Sequence, residues 1–280
     1  MKKYININDL SVNDITDIFT IATQLKEGGH NELEGKTFVL FFPESSIRTR
    51  VSYELAIQSL GGTIVSFPSD ALDKKEDLRN VIGYLENWAD GIIVRHNDYE
   101  KVKKIAQICN KVVINAMTSE NHPCEVLTDL YTISKMRADY KKLNYLFVGP
   151  ATNVGYSWYN AANKISFKLM QACPQGNEIA ENSEFFTAYH SLDDVIDKAD
   201  VVITDAIKKD PKYLTRFQIT NERIAKMKEH ALLNLTPPFY RGEVISENVQ
   251  LESVKQFVGY DFKKNLLYVQ AAIILWCLGE

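Results

Sequence analysis

The strongest constraint on the fold of this sequence is an alternation of short strand-like runs with helix-like segments. β-Branched and aromatic residues concentrate in the runs 36–42, 62–67, 91–96 and 111–116. Between the runs, apolar residues recur every three or four positions, as in residues 76–89, which is the spacing of one helix face. This order predicts βαβ units built around a parallel sheet.

A long helix-like segment, residues 122–142, separates these runs from a second series of strand-like runs. The second series comprises residues 143–149, 166–174, 199–206 and 230–238. A chain of 280 residues is long enough for two domains, each with its own core. We therefore predict an α/β fold of two doubly wound parallel-sheet domains joined by interdomain helices. The first spans residues 1–138 and is completed by a C-terminal helix at 262–280, and the second spans 139–261.

Composition excludes several classes of protein. With 45% apolar and 24% charged residues, the chain is typical of a soluble globular protein. It has neither an apolar run of about 18 residues for a bilayer nor a visible export signal, so we expect a cytoplasmic protein with no membrane partner. A net charge of −4 gives no reason to expect nucleic-acid binding. The four cysteines are scattered without a CxxC pair, which disfavours a disulfide framework and a zinc site.

The helix after the first predicted strand begins within FFPESSIRTR, residues 41–50. Ser45 or Ser46 is a suitable N-cap, and the glycines at 61 and 62 are a suitable end. The predicted apolar stripe of this helix consists of Val51, Leu55 and Leu60.

Arg48, Thr49 and Arg50 fall in the first turn of that helix. Free backbone N–H groups, the positive end of the helix dipole and guanidinium groups meet there, which favours a phosphate site. The alternative is that Arg48 and Arg50 only pair with surface carboxylates. Without an anion, however, cations at this end are unfavourable by up to about 1 kcal/mol.

Two other predicted strands also end in groups that bind anions. Arg95 and His96 end the 91–96 run, and His122 follows the 111–116 run just before a helix. A single Arg or His at such a position is more often structural than catalytic. Open α/β sheets bind ligands at the carboxyl ends of their strands, so three such ends favour one shared crevice.

These motifs resemble the aspartate/ornithine carbamoyltransferase family over nearly the whole chain. The family's S-x-R-T-R stands at 46–50, its R-H strand end at 95–96, and its H-P-x-Q-x-L-x-D-L at 122–130, with Glu125 in place of Gln. The resemblance implies transfer of a carbamoyl group from carbamoyl phosphate to an amine of an amino acid. It also implies a homotrimer with shared active sites and no cofactor.

The resemblance implies two sets of ligands. The carbamoyl-phosphate ligands would be Ser46, Ile47, Arg48, Thr49, Lys74, Arg95, His122, Glu125 and Pro237. Of these, Lys74 would come from a neighbouring subunit, and Arg48, Thr49, Arg95 and His122 would be catalytic, because positive groups stabilise the charge that develops on the carbonyl and leaving oxygens. The second-substrate ligands would be Asn153, Asp205, Thr236 and Arg241.

Several positions depart from the family pattern. Glu125 keeps an acceptor for the carbamoyl NH₂ but loses a donor, and it can equally be a first-turn helix carboxylate. Leu235-Thr236-Pro237-Pro238 stands where the family has H-C-L-P or H-P-L-P, although the two prolines suit a cis bond. Leu266 replaces a phosphate-binding Arg, for which Arg241 or Lys75 would have to compensate. These losses keep open a catalytically silent member that binds a ligand or regulates a partner.

Asp205 is the most informative position for the second substrate. By resemblance, the ornithine branch has Asp there and the aspartate branch has Arg, so charge complementarity favours an ornithine-like diamino acid. Aspartate or another amine is the alternative. Lys208 and Lys209 either bind a substrate carboxylate or belong to a solvated loop. A dinucleotide-dependent oxidoreductase is disfavoured because residues 148–155 lack the G-x-G-x-x-G turn.

Overall fold

A computed structural model describes residues 1–205 and 216–279, and it confirms the predicted fold class. The chain forms two compact units, Met1–Tyr131 with Lys264–Glu280, and Thr132–Lys263. Each unit contains one five-stranded sheet in which all neighbouring strands are parallel. The boundaries predicted from the sequence, after residue 138 and after residue 261, remain predictions.

The sheet of the first unit has the order β1-β5-β4-β2-β3. Its strands are β1 (Lys3–Tyr4), β2 (Thr37–Phe41), β3 (Thr63–Phe67), β4 (Gly91–Arg95) and β5 (Val112–Met117). The central strands β2, β4 and β5 are almost continuously buried, as expected for parallel strands covered on both faces. From β2 the chain adds β3 on one side and then β4 on the other, so the strand order reverses between β2 and β4.

The sheet of the second unit has the order β10-β9-β6-β7-β8. Its strands are β6 (Asn144–Val148), β7 (Lys168–Ala172), β8 (Phe186–Tyr189), β9 (Val201–Thr204) and β10 (Leu232–Leu235). Here the order reverses between β6 and β9. Strand β8 was not predicted, because its four residues carry no apolar alternation that distinguishes them from a loop.

Helices connect the strands in both units. Within residues 1–205 and 216–279 they are α1 (Val12–Gln24), α2 (Ile47–Ser59), α3 (Leu78–Leu85), α4 (Tyr99–Ile108), α5 (Pro123–Met136), α6 (Asn153–Ile165), α7 (Asn221–Lys226), α8 (Gly259–Lys263) and α9 (Leu266–Leu278). The single helix predicted over 122–142 was wrong in length, since α5 ends at Met136 and a short 3₁₀ turn occupies Tyr140–Lys142. Within the described residues, no helix combines the length and the apolarity that crossing a membrane requires.

The buried face of α2 differs from the predicted stripe. Val51 and Leu55 are 50% and 47% exposed, whereas Tyr53 and Ile57 are fully buried. Two residues along a helix correspond to about 200° of rotation, so burial of Tyr53 and Ile57 turns Val51 and Leu55 outward. The predicted core positions at 51 and 55 were therefore wrong, while Leu60 is buried as expected.

Candidate active site

The first candidate ligand site lies where the strand order of the first sheet reverses. Arg95 ends β4, and its Nη1 donates hydrogen bonds to Ser46 Oγ at 3.1 Å and Thr49 Oγ1 at 3.0 Å. Ser46 and Thr49 lie at the start of α2, which follows β2. Because β2 and β4 are neighbours, their carboxyl ends bring the predicted phosphate motif against the predicted strand-end arginine.

Of the two predicted N-cap residues, Ser46 occupies the N-cap position of α2, but its hydroxyl does not cap the helix. In the described chain, no side-chain hydrogen bond from Ser46 caps the helix, and its oxygen accepts from Arg95 instead. Backbone N–H groups at this terminus are thus left for another acceptor. Phe42, which follows β2, packs on Tyr53 of α2 with ring centroids 6.0 Å apart, and this contact helps to fix the terminus at the sheet edge.

The two arginines of the motif have different surroundings. Arg50 pairs with Glu54 one turn along, with Nε 2.8 Å from Oε1, so the surface-pair alternative applies to Arg50. Arg48 is exposed. Burial lowers the pKa of the Arg95 guanidinium, nearby Glu125 raises it, and nearby Arg48 lowers it again. Two cations of like charge therefore face one region, and a dianion would relieve their repulsion.

His122 and Glu125 lie next to this region at the start of α5. Both are buried, at 8% and 7% exposure, and His122 Nε2 is 4.0 Å from Glu125 Oε2. Glu125 also influences Arg95 electrostatically. Glu125 is therefore a buried carboxylate beside the cationic site and differs from an ordinary solvated helix-terminal acid.

The remaining residues of the predicted carbamoyl-phosphate set are not joined to Arg95 by any hydrogen bond that the described residues show. Ile47 is 70% exposed, and Lys74 is exposed directly after the 3₁₀ turn Ser69–Asp73. That turn is anchored through Asp73, which accepts from Lys101 and His96. The hydrogen bond from Lys101, and to a smaller extent that from His96, holds the pKa of Asp73 below its usual value. Lys74 thus projects from a fixed turn, and His96 has a structural role.

A second candidate site lies where the strand order of the second sheet reverses. Asp205 directly follows β9, and its Oδ2 accepts a 2.5 Å hydrogen bond from Thr152 Oγ1. Thr152 also caps α6, since its Oγ1 accepts from Gly155 N–H at 3.2 Å. Asn153 is the first residue of α6, and its Oδ1 accepts from Val154 N–H at 2.9 Å. The structure therefore brings the predicted ligands Asn153 and Asp205 to one sheet edge.

Two hydroxyl groups extend this second site along the sheet. Thr204 ends β9 and Thr236 follows β10; both are buried, and in the described part of the chain neither Oγ1 has a hydrogen-bond partner. Sequence reasoning missed Thr152 and Thr204. The N-cap pattern of Thr152 ahead of a helix could have revealed the former, whereas Thr204 carries no such local signal.

The segment after β10 contains the last predicted ligands. The Pro237–Pro238 bond is cis, as predicted. Arg241 is exposed, and its Nη1 donates to Val249 O at 2.5 Å, a contact that holds its own loop. Leu235 is buried in the core of the second unit, and Leu266 is buried at the start of α9. Lys208 and Lys209 lie outside the described residues.

Both candidate sites lie at the carboxyl ends of parallel strands, the position where open α/β sheets bind ligands. The carbamoyl-phosphate-binding domain of aspartate/ornithine carbamoyltransferases matches residues 2–135. The Asp/Orn-binding domain of the same enzymes matches residues 141–277. The chain belongs to the aspartate/ornithine carbamoyltransferase family, which confirms the predicted membership.

Individual relatives agree with this assignment over their full length. The chain is 31% identical to the ornithine carbamoyltransferase of Desulfotalea psychrophila over 299 aligned positions, which cover 98% of each chain. It is 32% identical to that of Oleidesulfovibrio alaskensis over 299 positions, which cover 99% of each. The solved ornithine carbamoyltransferase of Burkholderia thailandensis is 27% identical, with a TM-score of 0.90 and 99% of each chain covered. The oxidoreductase alternative is thereby set aside.

Proposed function

We propose that the protein transfers the carbamoyl group of carbamoyl phosphate to an amine of an ornithine-like diamino acid and releases phosphate. The observation that carries this proposal is the pair of hydrogen bonds from Arg95 to Ser46 and Thr49, which assembles a cationic site from separate strand ends. The acidic Asp205 at the other sheet favours a basic second substrate. The named relatives are all ornithine carbamoyltransferases.

The cationic site has the groups that this reaction needs. A neutral amine attacks the carbonyl carbon, negative charge develops on the carbonyl oxygen, and the bond to the phosphate oxygen breaks. Arg48 and Arg95 would hold the phosphate together with the hydroxyls and N–H groups at the start of α2. His122 and Thr49 would polarise the carbonyl. Positioned cations perform most of the work, since little proton transfer is required before the amine has attacked.

The carbamoyl NH₂ needs acceptors, and two predicted ligands provide them. Glu125 has a carboxylate and Pro237 has a backbone carbonyl. Glu125 is buried beside Arg95, so its charge opposes phosphate binding to some extent. We expect it to orient the carbamoyl group at the expense of some affinity for the dianion.

Asp205 would meet an amine of the second substrate. The attacking amine must be neutral, so the carboxylate would orient that amine or ease its deprotonation. Asn153 and Thr236 would contact the amino-acid part of the substrate through their amide and hydroxyl groups. Arg241 would offer its remaining guanidinium N–H groups to the substrate carboxylate, since one already holds Val249.

A direct assay tests the reaction and the acceptor together. The purified chain would be incubated with carbamoyl phosphate and, separately, ornithine, shorter and longer diamino acids, and aspartate. Ureido product and phosphate should form in equal amounts with a diamino acid and remain at background with aspartate. Binding of carbamoyl phosphate without product from any amine would instead support a silent member, in keeping with the leucines at 235 and 266.

We further propose a homotrimer in which neighbouring subunits share active sites. Ile47, Val51 and Leu55 form an exposed apolar stripe on α2, and Val65 and Phe67 are exposed on the edge strand β3. Ser66 of β3 donates to Glu54 of α2 at 3.1 Å, so α2 lies against the Ser66 face of this edge strand, and Val65 and Phe67 are exposed on its opposite face. An apolar surface that includes an edge strand is a liability unless another chain covers it, and a closed ring is a common solution.

Two matched experiments test this assembly. Val51→Glu should lower the mass measured by sedimentation, whereas Val12→Glu, at a 40% exposed valine of α1, should not. Mixed oligomers of inactive Arg48→Ala and inactive Lys74→Ala chains should regain activity, because some sites receive both native residues. Verified mixed oligomers without recovered activity would argue against a shared site, and a monomeric wild type would exclude the ring.

The cysteines indicate the compartment in which the protein acts. The four cysteines are all free and buried, which suits a reducing environment, and we infer that the protein acts in the cytoplasm. Cell fractionation with an antibody to the chain tests this inference, and recovery outside the cytoplasmic fraction would contradict it.

A further inference from the structure

We propose that Cys173, Glu178 and His190 form a Zn²⁺ site at the carboxyl end of the second sheet. Cys173 directly follows β7 and His190 directly follows β8, while Glu178 lies in the loop after β7. Ala172 and Tyr189 are partners in the sheet register, which places the next residues side by side. The cysteine sulfur, a glutamate oxygen and a histidine nitrogen all lie within 4.8 Å of one another.

The separation of the histidine and glutamate ligand atoms matches that around a tetrahedral zinc ion, and the sulfur lies within 4.8 Å of both. Zn²⁺ binds sulfur at about 2.3 Å and nitrogen or oxygen at about 2.0–2.2 Å, so neighbouring ligand atoms of a tetrahedron lie about 3.3–3.6 Å apart. His190 Nε2 and Glu178 Oε1 are 3.6 Å apart. Mixed thiolate, imidazole and carboxylate ligands are characteristic of zinc among the biological divalent cations.

The histidine tautomer supports a cation at this point. His190 Nδ1 is 3.2 Å from Cys173 O, and a carbonyl oxygen only accepts, so Nδ1 carries a proton. In the neutral ring, Nε2 then presents a lone pair toward Glu178 Oε1, which also only accepts. The Nε2 lone pair and the Glu178 carboxylate thus face one point, 3.6 Å apart, where a single cation would accept electron pairs from both.

The groups behind the three ligands are those expected of a metal site. Ligating histidines usually donate their other N–H to a carbonyl or carboxylate, and ligating carboxylates are usually hydrogen-bonded as well. Here His190 Nδ1 donates to Cys173 O, and Gly176 N–H donates to Glu178 Oε1 at 3.0 Å. Both ligands are therefore oriented before any ion binds.

The ion can reach the site from solvent on one side. The Cys173 side chain is fully buried, whereas the side chains of His190 and Glu178 are 51% and 27% exposed. Water would take the fourth position of the tetrahedron. Binding would displace the thiol proton of Cys173 to solvent and form the Zn–S bond, and neutral His190 would lose no proton.

Only one of the three ligands is a cysteine, which explains why the scattered cysteines disfavoured a zinc site. Cysteine spacing is informative when two ligands share one turn, and here β7 and β8 bring together one cysteine and one histidine. The ion would also tie down the loop between them. Asn177 in that loop accepts from Ala151 N–H at 3.0 Å, next to the start of α6, so zinc should stabilise the second unit.

The test measures Zn²⁺ and Co²⁺ binding to the full-length chain after treatment with a chelator. Competition with a chromophoric chelator gives the Zn²⁺ affinity, and a near-ultraviolet charge-transfer band of the Co²⁺ form reports a thiolate ligand. Cys173→Ser and His190→Gln should each weaken Zn²⁺ binding at least by the roughly 10- to 100-fold that loss of an outer-shell partner costs. Cys173→Ser should also abolish the Co²⁺ band.

Two variants serve as matched controls. His30 pairs with Glu32 at 2.8 Å in the first unit, so His30→Gln removes a comparable His–Glu pair. Cys109→Ser replaces another buried cysteine. Both should leave Zn²⁺ affinity unchanged. A wild type that binds no Zn²⁺ at micromolar concentration, or a His190→Gln protein with unchanged affinity, would overturn the proposal. If Cys173→Ser fails to fold, the Zn²⁺ affinity of His190→Gln decides the question, because the His190 side chain is 51% exposed and its replacement leaves the core intact.

Discussion

The two candidate sites share one sheet topology and carry opposite charges. In the first, the order reverses between β2 and β4, and Arg95 reaches across to Ser46 and Thr49. In the second, the order reverses between β6 and β9, and Asp205 accepts from Thr152 across the same kind of gap. In both sheets, a charged residue at the end of one strand forms a hydrogen bond with a hydroxyl group. That hydroxyl lies at the start of the helix that follows the neighbouring strand.

The comparison separates what topology determines from what residue identity determines. Reversal of strand order opens a gap between two helix-bearing connections, so the ligand position follows from the fold. The charge at the strand end then selects the ligand, because an arginine attracts phosphate and a carboxylate attracts an amine. Exchange or loss of either charge should therefore change one substrate and leave the fold intact.

Loss of the cation should have the largest effect. Arg95→Ala should lower kcat/KM by at least about 100-fold, since it removes charge-assisted hydrogen bonds worth about 1.5–3 kcal/mol each. Arg95→Lys, which keeps the charge but loses the fork, should be intermediate. Steady-state kinetics checks both, with Arg50→Ala as the control because Arg50 pairs with Glu54. Equal losses of kcat/KM in Arg95→Ala and Arg50→Ala would contradict a specific role for Arg95, because they would show that any loss of positive charge has the same effect.

Loss of the anion should have the next largest effect and should concern the other substrate. Asp205→Asn should lower kcat/KM for ornithine by roughly 10- to 150-fold, the equivalent of a charged hydrogen bond of about 1.5–3 kcal/mol. Activity with aspartate should stay the same or rise, because a repulsive charge is removed. Kinetics on both amino acids decides this, with exposed Glu181→Gln as the control. A preference for aspartate that survives in Asp205→Asn would overturn the diamino-acid assignment.

The acidic residue inside the cationic site should have the smallest effect. Glu125→Gln should tighten carbamoyl phosphate binding a few-fold, because it removes a buried negative charge that interacts with Arg95 and repels the dianion. Calorimetric titration measures the change, and Glu120→Gln, at an exposed site nearby, should give none. Weaker binding in Glu125→Gln would mean that the carboxylate itself is a required ligand.

The sequence predicts the two sheets and most of the charged strand ends because those features are local. Apolar runs mark β2, β4 and β9, and Arg95 and Asp205 follow such runs directly. Contacts between residues far apart in sequence were not predictable. The Ser46 hydroxyl bonds Arg95 rather than its own helix, and the outward turn of Val51 depends on which neighbours bury Tyr53. The meeting of Cys173 with His190 depends on the β7–β8 pairing, whose second strand has no clear pattern.

The central claim is that each sheet edge binds one substrate through its own charge. Calorimetric titration of freshly prepared carbamoyl phosphate into Arg48→Ala and Asp205→Asn tests it most directly, because both side chains lie outside the cores. Arg48→Ala should lose measurable binding while its thermal unfolding is unchanged, and Asp205→Asn should bind as the wild type does. Unchanged affinity in folded Arg48→Ala, or an equal loss in both variants, would contradict the account.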